Sequence, residues 1–187
     1  MLHQNSRSAR GPNNTGSVKI NIKPKSPYSR ILLRLRGSPI FNVKTKVPTQ
    51  LIIPRNIIHQ IIKFAYEKFP IETCGVLLGY MKRDIIQVSK IKELKNIMGS
   101  STHFWFDTKE WMAAVIEGRR KGLEYIGIYH VHNRQEPKPS LQDMERMIEC
   151  PGEVWLILVL DDEKIKIAAW TIVGYDLLTH RIMVRVI

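Results

Sequence analysis

Apolar positions along this chain recur in two periods, and the switches between them mark out its elements. Leu51-Ile52-Ile53 is a short apolar run of strand type. Pro54 suits the opening of a helix, and Ile57, Ile58, Ile61, Ile62, Ala65 and Tyr66 follow at helical spacing until Pro70 ends it. Glu72 to Tyr80 reads as a strand, is broken by Met81-Lys82-Arg83-Asp84, and pairs as a hairpin with Ile85 to Leu94. Asn96 to Ser101 is a loop and Phe104-Trp105-Phe106 another short strand. Asp107 or Thr108 can cap a helix that presents Trp111, Met112, Val115 and Ile116 on one face and stops at Gly122.

The alternating run Tyr125-Ile126-Gly127-Ile128-Tyr129 is a buried strand that continues to His132 and ends in a loop carrying Pro137 and Pro139. From Ser140 a helical pattern resumes (Leu141, Met144, Met147, Ile148) and ends at Cys150-Pro151-Gly152. Trp155 to Leu160 and Ile165 to Ile172 form a second hairpin around Asp161-Asp162-Glu163-Lys164, and Tyr175 to Ile187 adds a helical turn or a final strand. The order predicts an α+β fold: a mixed, mostly antiparallel β-sheet flanked by helices, with no internal repeat.

Charge divides the chain. Residues 1–66 hold 12 Lys+Arg and no acid, the first being Glu67, whereas residues 67–187 hold 17 of each sign. The whole net charge of +12 therefore sits in the first third. We divide the chain into a basic, flexible N-terminal extension, residues 1–47, and one domain, residues 48–187. An acid-free basic segment is drawn to nucleic acid or to acidic surfaces, and its plain reading is a solvated tail. Its composition also suits a transit peptide, with Arg30 to Arg36 as a short basic amphipathic patch, a reading we rank below the others. No apolar run approaches the roughly 20 residues of a spanning helix, so we expect no membrane partner and no secretory signal. Two cysteines, Cys74 and Cys150, fit a reducing cytoplasm. Cys74 is read as a small buried hydrophobe on the same face as Glu72.

The chemistry concentrates in His130-Val131-His132 and Ser140-Leu141-Gln142-Asp143. Residues two apart on a strand share a face, so His130 and His132 present two imidazoles side by side while Val131 points to the core. Two imidazoles and a carboxylate make the three-ligand set of a catalytic zinc with an open fourth position. Two plain readings stand level with this on spacing alone. Histidines beside a hydrophobic strand are commonly satisfied core or surface residues. Ser140-x-x-Asp143 after Pro139 is also a capping box, which would compete with a metal for the Asp143 carboxylate.

His130-x-His132, seven residues, then Ser140-x-x-Asp143 resembles the signature of the JAMM (MPN+) metallo-isopeptidases. Pro70-Ile71-Glu72-Thr73-Cys74-Gly75-Val76-Leu77-Leu78-Gly79 resembles that family's glutamate strand, and Phe104-Trp105-Phe106-Asp107 with its helix is a looser match. The resemblance covers residues of about 50 to 187. Two positions depart from it: Val131 stands where Ser or Thr is usual, and Asn133 where Pro is usual.

The resemblance implies a cytidine-deaminase-like JAB1/MPN fold of minimal prokaryotic, archaeal type. It implies one Zn²⁺ per chain held by His130, His132 and Asp143, with Glu72 as general base and Ser140 as oxyanion donor. Its substrate would be the bond after the C-terminal Gly-Gly of a ubiquitin-like modifier or sulfur-carrier protein. The long insertion by which eukaryotic relatives select linkages is missing after Asp143, so a minimal enzyme, monomer or homodimer, is expected. Two other classes compete: a catalytically silent scaffold, which usually lacks a ligand that this chain keeps, and a nucleic-acid-associated relative anchored by the basic tail.

Overall fold

The computed structural model describes residues 46–133, 136–160, 164–173 and 178–187. The basic extension up to residue 45 and the turn at 161–163 lie outside the described residues, so the expectations about the tail are not addressed by the fold. Ten elements follow one another: β1 (Gln50–Ile53), α1 (Arg55–Lys68), β2 (Cys74–Lys82), β3 (Ile85–Leu94), α2 (Thr108–Arg120), β4 (Glu124–His132), α3 (Leu141–Glu149), β5 (Val154–Leu160), β6 (Ile165–Ile172) and β7 (Thr179–Val186). The mixed α+β class holds, but the sheet is closed rather than open. Its order is β1-β3-β2-β4-β5-β6-β7, with β7 returning to pair with β1.

Closure comes from the first strand and from the C-terminal stretch, whose type the sequence left open. The C-terminal stretch is a strand, and it lies parallel to β1, with Leu51 opposite Val184. β1 also lies parallel to β3, and β4 parallel to β5. The remaining ladders, β2–β3, β2–β4, β5–β6 and β6–β7, are antiparallel. Both hairpins are present as expected.

Alternation along the strands builds two cores. One joins Ile57, Ile58, Ile61 and Ala65 of α1 to Leu51, Leu77, Tyr129, Val131, Leu156 and Leu158. The other lies on the opposite face, where Cys74, Val76, Ile128 and Trp155 pack with Phe104, Phe106, Ala114 and Met147. Both faces of the central strands are thus covered, which is why β4 and β5 read as nearly continuous apolar runs.

Four local expectations need correcting. The strand after Pro70 begins at Cys74, so Glu72 precedes the regular ladder. Phe104 to Phe106 is not a strand but an irregular segment whose rings fill the second core. The buried face of α2 is Ala114 and Gly118, not the stripe of Met112 and Ile116, which are exposed. Small residues win there because the helix presses on β2: a Cβ at Gly118 would come within 2.8 Å of Leu78 Cδ2. On α1, Tyr66 is likewise exposed although it keeps the helical spacing.

The fourth is a β-bulge in β4. The β2–β4 register passes from Leu77↔Gly127 to Leu78↔Tyr125, leaving Ile126 as the extra residue. Simple alternation over 125–129 therefore fails, and Tyr125 packs with the second core while Tyr129 packs with the first. Gly127 makes the bulge possible. Its φ is +154°, and a Cβ there would stand 2.0 Å from the Val154 carbonyl oxygen of β5. Gly127→Ala should accordingly lower the melting temperature sharply, with a cost above about 3 kcal/mol from overpacking plus backbone strain. Gly122→Ala, at φ +75° with open space around it, should cost only about 1 kcal/mol. Equal melting temperatures for the two variants would contradict this account of the bulge.

Candidate metal centre

Register decides which side chains meet. In the β2–β4 ladder Cys74 faces His130 and Gly75 faces Tyr129. The pairing runs one step beyond the regular strand, because Val131 N donates to Thr73 O at 2.9 Å. Directly opposed residues of an antiparallel pair share a face. Cys74 and His130 therefore project together, with His132 two residues further along the same strand, while Val131 joins the core behind them. Glu72 lies one residue before the Thr73–Val131 bond, outside the ladder.

Asp143 reaches this face from α3. His132 Nε2 lies 3.3 Å and His130 Nε2 3.6 Å from Asp143 Oδ2. The two Nε2 atoms are 2.7 Å apart. All three side chains are buried, and their ligand atoms fall within 4.8 Å of one another. Glu72 is also buried, at 2% exposure. Four titratable groups in one dry place need a reason, since an uncompensated buried charge is costly.

Electrostatics supply part of it. Burial works to raise the Asp143 carboxyl, but hydrogen bonding and charge from His130, with hydrogen bonds from His132 and Ser140, outweigh it and hold the group well below the usual carboxylate range. Cys74, by contrast, has its thiol pushed up to about 12, chiefly by burial and next by the charge of Glu110. It stays neutral beside the histidines and behaves as the small hydrophobe expected. Both cysteines are free.

The capping box and the cluster share one atom, Asp143 Oδ2. Ser140 Oγ accepts from Asp143 N at 3.1 Å, and Asp143 Oδ2 accepts from Ser140 N at 2.6 Å, so the box is complete. The same carboxylate still faces both imidazoles, because an ionised carboxylate offers about four lone-pair sites. The cap in fact aims it: the two reciprocal bonds fix the rotation of Asp143 at the first turn of α3.

The donor set suits zinc. Ligands ~2.05 Å from a tetrahedral zinc stand ~3.4 Å apart, a spacing that the two Asp143 separations of 3.3 and 3.6 Å bracket. The imidazole pair must open from 2.7 Å by about 0.7 Å to reach that spacing.

Sequence reasoning passed over what holds these groups. Phe104 stacks on the His130 ring at 4.3 Å between centroids, and Trp155 meets the same ring edge-on at 5.9 Å. Asn133, noted above only as a departure, donates from Nδ2 to Pro70 O at 2.5 Å and to Ser101 O at 3.1 Å. Asn96 donates to Glu72 O at 2.9 Å. No spacing rule marks such residues; the unusual Asn133 was the one visible signal.

Comparison with known proteins agrees with this picture. The family model of the prokaryotic homologues of the JAB domain, Prok-JAB, matches residues 54–173. This chain belongs to that family. It is 34% identical over 120 residues to a protein of Pyrococcus furiosus named desampylase, an alignment covering 64% of this chain and 79% of that one. A second desampylase, from Haloferax volcanii, is 32% identical over 89 residues, covering 47% of this chain and 62% of the other. The JAMM/MPN resemblance read from the motifs thus holds, in its minimal archaeal form.

The fold is likewise shared. A solution structure from Desulfitobacterium hafniense superposes with a TM-score of 0.65 at 23% identity, covering 73% of this chain and 92% of that one. One from Salinibacter ruber gives 0.53 at 25% identity, covering 71% and 90%. Both structures therefore share this chain's fold.

Removing the metal-facing charge while keeping the cap should separate the two duties of Asp143. Asp143→Asn retains an acceptor for Ser140 N, so far-UV circular dichroism should be unchanged and the melting temperature should fall by only a few degrees. Zinc retained after dialysis, measured by elemental analysis, should fall from about one per chain to below a tenth of that. Full zinc retention in the variant would remove Asp143 from the site.

Proposed function

We propose that this chain is a zinc-dependent isopeptidase that hydrolyses the bond after the C-terminal Gly-Gly of a ubiquitin-like modifier or sulfur-carrier protein. The observation that carries the reading is the convergence of His130, His132 and Asp143, with the buried Glu72 two residues before Cys74, the partner of His130, in a chain related to two desampylases. On this reading residues 48–187 are the catalytic unit, it works in the cytoplasm, and its partners are modifier conjugates. A silent scaffold would have no use for four buried polar ligands and acids.

His130, His132 and Asp143 would hold one Zn²⁺ per chain. The metal would supply Lewis-acid polarisation, which makes water a nucleophile near neutral pH. Glu72 takes the proton of the attacking water and later returns it to the leaving amine, so one carboxylate serves as base and then acid. Ser140 serves the carbonyl oxygen of the substrate. Its Oγ accepts from Asp143 N, which leaves its own hydrogen available to donate to the oxyanion as the carbonyl carbon becomes tetrahedral. The Phe104 and Trp155 rings around His130 exclude bulk water, which strengthens each of these interactions.

Incubating the purified protein with a modifier joined through its C-terminal glycine to a lysine should release free modifier, and chelation should stop it. Glu72→Gln should lower kcat by a factor of about 10³ or more with zinc content unchanged. Ser140→Ala should lower kcat by about 10²–10³ and, by loss of the cap, reduce stability by about 1 kcal/mol. Cleavage that survives Glu72→Gln at wild-type rate would refute the mechanism.

A further inference from the structure

Glu72 has an unusual structural problem for a residue given so exacting a task. It lies outside the regular part of β2, in an irregular segment between the end of α1 and Cys74. Beside it, Thr73 O accepts from Val131 N at 2.9 Å. What holds its backbone otherwise is the loop that follows β3. Glu72 N donates to Ser100 O at 3.0 Å, and Glu72 O accepts from Asn96 Nδ2 at 2.9 Å.

Asn96 uses its amide fully. Nδ2 donates to Glu72 O and to His103 O at 3.0 Å. Oδ1 accepts from Met98 N at 3.0 Å and from Trp105 N at 3.2 Å. Two donor hydrogens and two acceptor lone pairs are thus engaged with four backbone groups, the complete capacity of an amide side chain. Three of those groups belong to the loop that carries Phe104, the ring stacked on His130. One side chain therefore ties the backbone of Glu72 to the loop that supports a metal ligand.

Asn133 closes the arrangement from the other side. It directly follows His132, and its Nδ2 bridges Pro70 O and Ser101 O. Pro70 lies two residues before Glu72, and Ser101 is next to the Ser100 that accepts from Glu72 N. The Glu72 segment is gripped at both ends, by Asn96 from β3 and Asn133 from β4, with residues 96–103 as the common strap.

We propose that Asn96 and Asn133 form an amide clamp that sets where Glu72 stands against the His130–His132 face. Both are positioning residues; neither touches the reacting atoms. The proposal rests on the reading of Glu72 as the proton carrier. A misplacement of about 1 Å in such a group can cost about 10²-fold in rate, and nothing in the ladder alone prevents one.

Asn96→Asp is the sharpest variant, since it keeps the shape and the acceptor for Met98 N and Trp105 N. It turns the donor end into an oxygen that faces two carbonyl oxygens and repels them. Asn133→Ala, which deletes the second grip, stands in should Asn96→Asp fail to fold. Amide hydrogen exchange of the metal-free protein should show residues 70–74 and 98–103 exchanging at least about tenfold faster in either variant, with β4 and β5 unchanged. In the zinc-loaded protein kcat should fall about 10–100-fold, with KM within twofold and zinc affinity within threefold of the unaltered protein. Gly122→Ala, a destabilised control far from these bonds, should leave kcat unchanged.

Unchanged exchange in both segments would overturn the clamp, as would unchanged kcat or a loss of zinc matching the loss of rate. If the unaltered protein cleaves no conjugate, the isopeptidase reading fails, while the exchange measurement still decides whether the two amides hold the Glu72 segment.

Discussion

The pairing of β2 with β4 is the constraint on which this molecule depends. Side chains alternate across a strand, so the register of one ladder determines whether Cys74, His130 and His132 share a face. A slip of one residue would send both histidines into the first core and bring Tyr129 and Val131 out in their place. Burial forbids it: Tyr129 and Val131 lie in a core with α1, and removing them from it would forfeit several kcal/mol of apolar burial. The site is polar on one side of β4 because the other side is so firmly apolar.

Covering both faces of the central strands has a second effect. The histidines do not open on a polar cleft but lie under Phe104, Trp155 and α3. A dry setting makes each electrostatic interaction stronger and each uncompensated charge more expensive. The structure answers by pairing: the Asp143 carboxylate faces two imidazoles and takes a backbone hydrogen bond from its own helix cap. The capping box and the donor set are one device, since the bonds that begin α3 also set the angle of Asp143.

Irregular segments do the rest of the positioning. The residues before β2, the loop after β3 and the end of β4 have no shared ladder, and Asn96 and Asn133 link them through backbone carbonyls. Placing this duty on amides rather than on a longer strand leaves Glu72 at the margin of the sheet, beside the ligands but outside the regular hydrogen-bond pattern. The departure of Asn133 from its family's usual proline acquires a physical meaning here, because a proline could not donate to Pro70 O or Ser101 O.

By itself the sequence determined most of the helices and strands, the two hairpins, the cap at Ser140, the placing of His130 and His132 on one face, and the family. These are local matters, settled by alternation, by capping chemistry and by spacing within a few residues. Tertiary structure decided the rest. Closure of the sheet through β1 and β7 depends on contacts between the two ends of the domain, which no local pattern encodes. The bulge at Ile126 and the buried stripe of Ala114 and Gly118 follow from how closely β5 and α2 approach their neighbours, and hydrophobicity alone favoured Met112 and Ile116. Apart from Met98, two residues from Asn96, the partners of Phe104, Asn96 and Asn133 lie between 7 and 63 residues away in the chain, a range at which only the folded chain can say which groups meet.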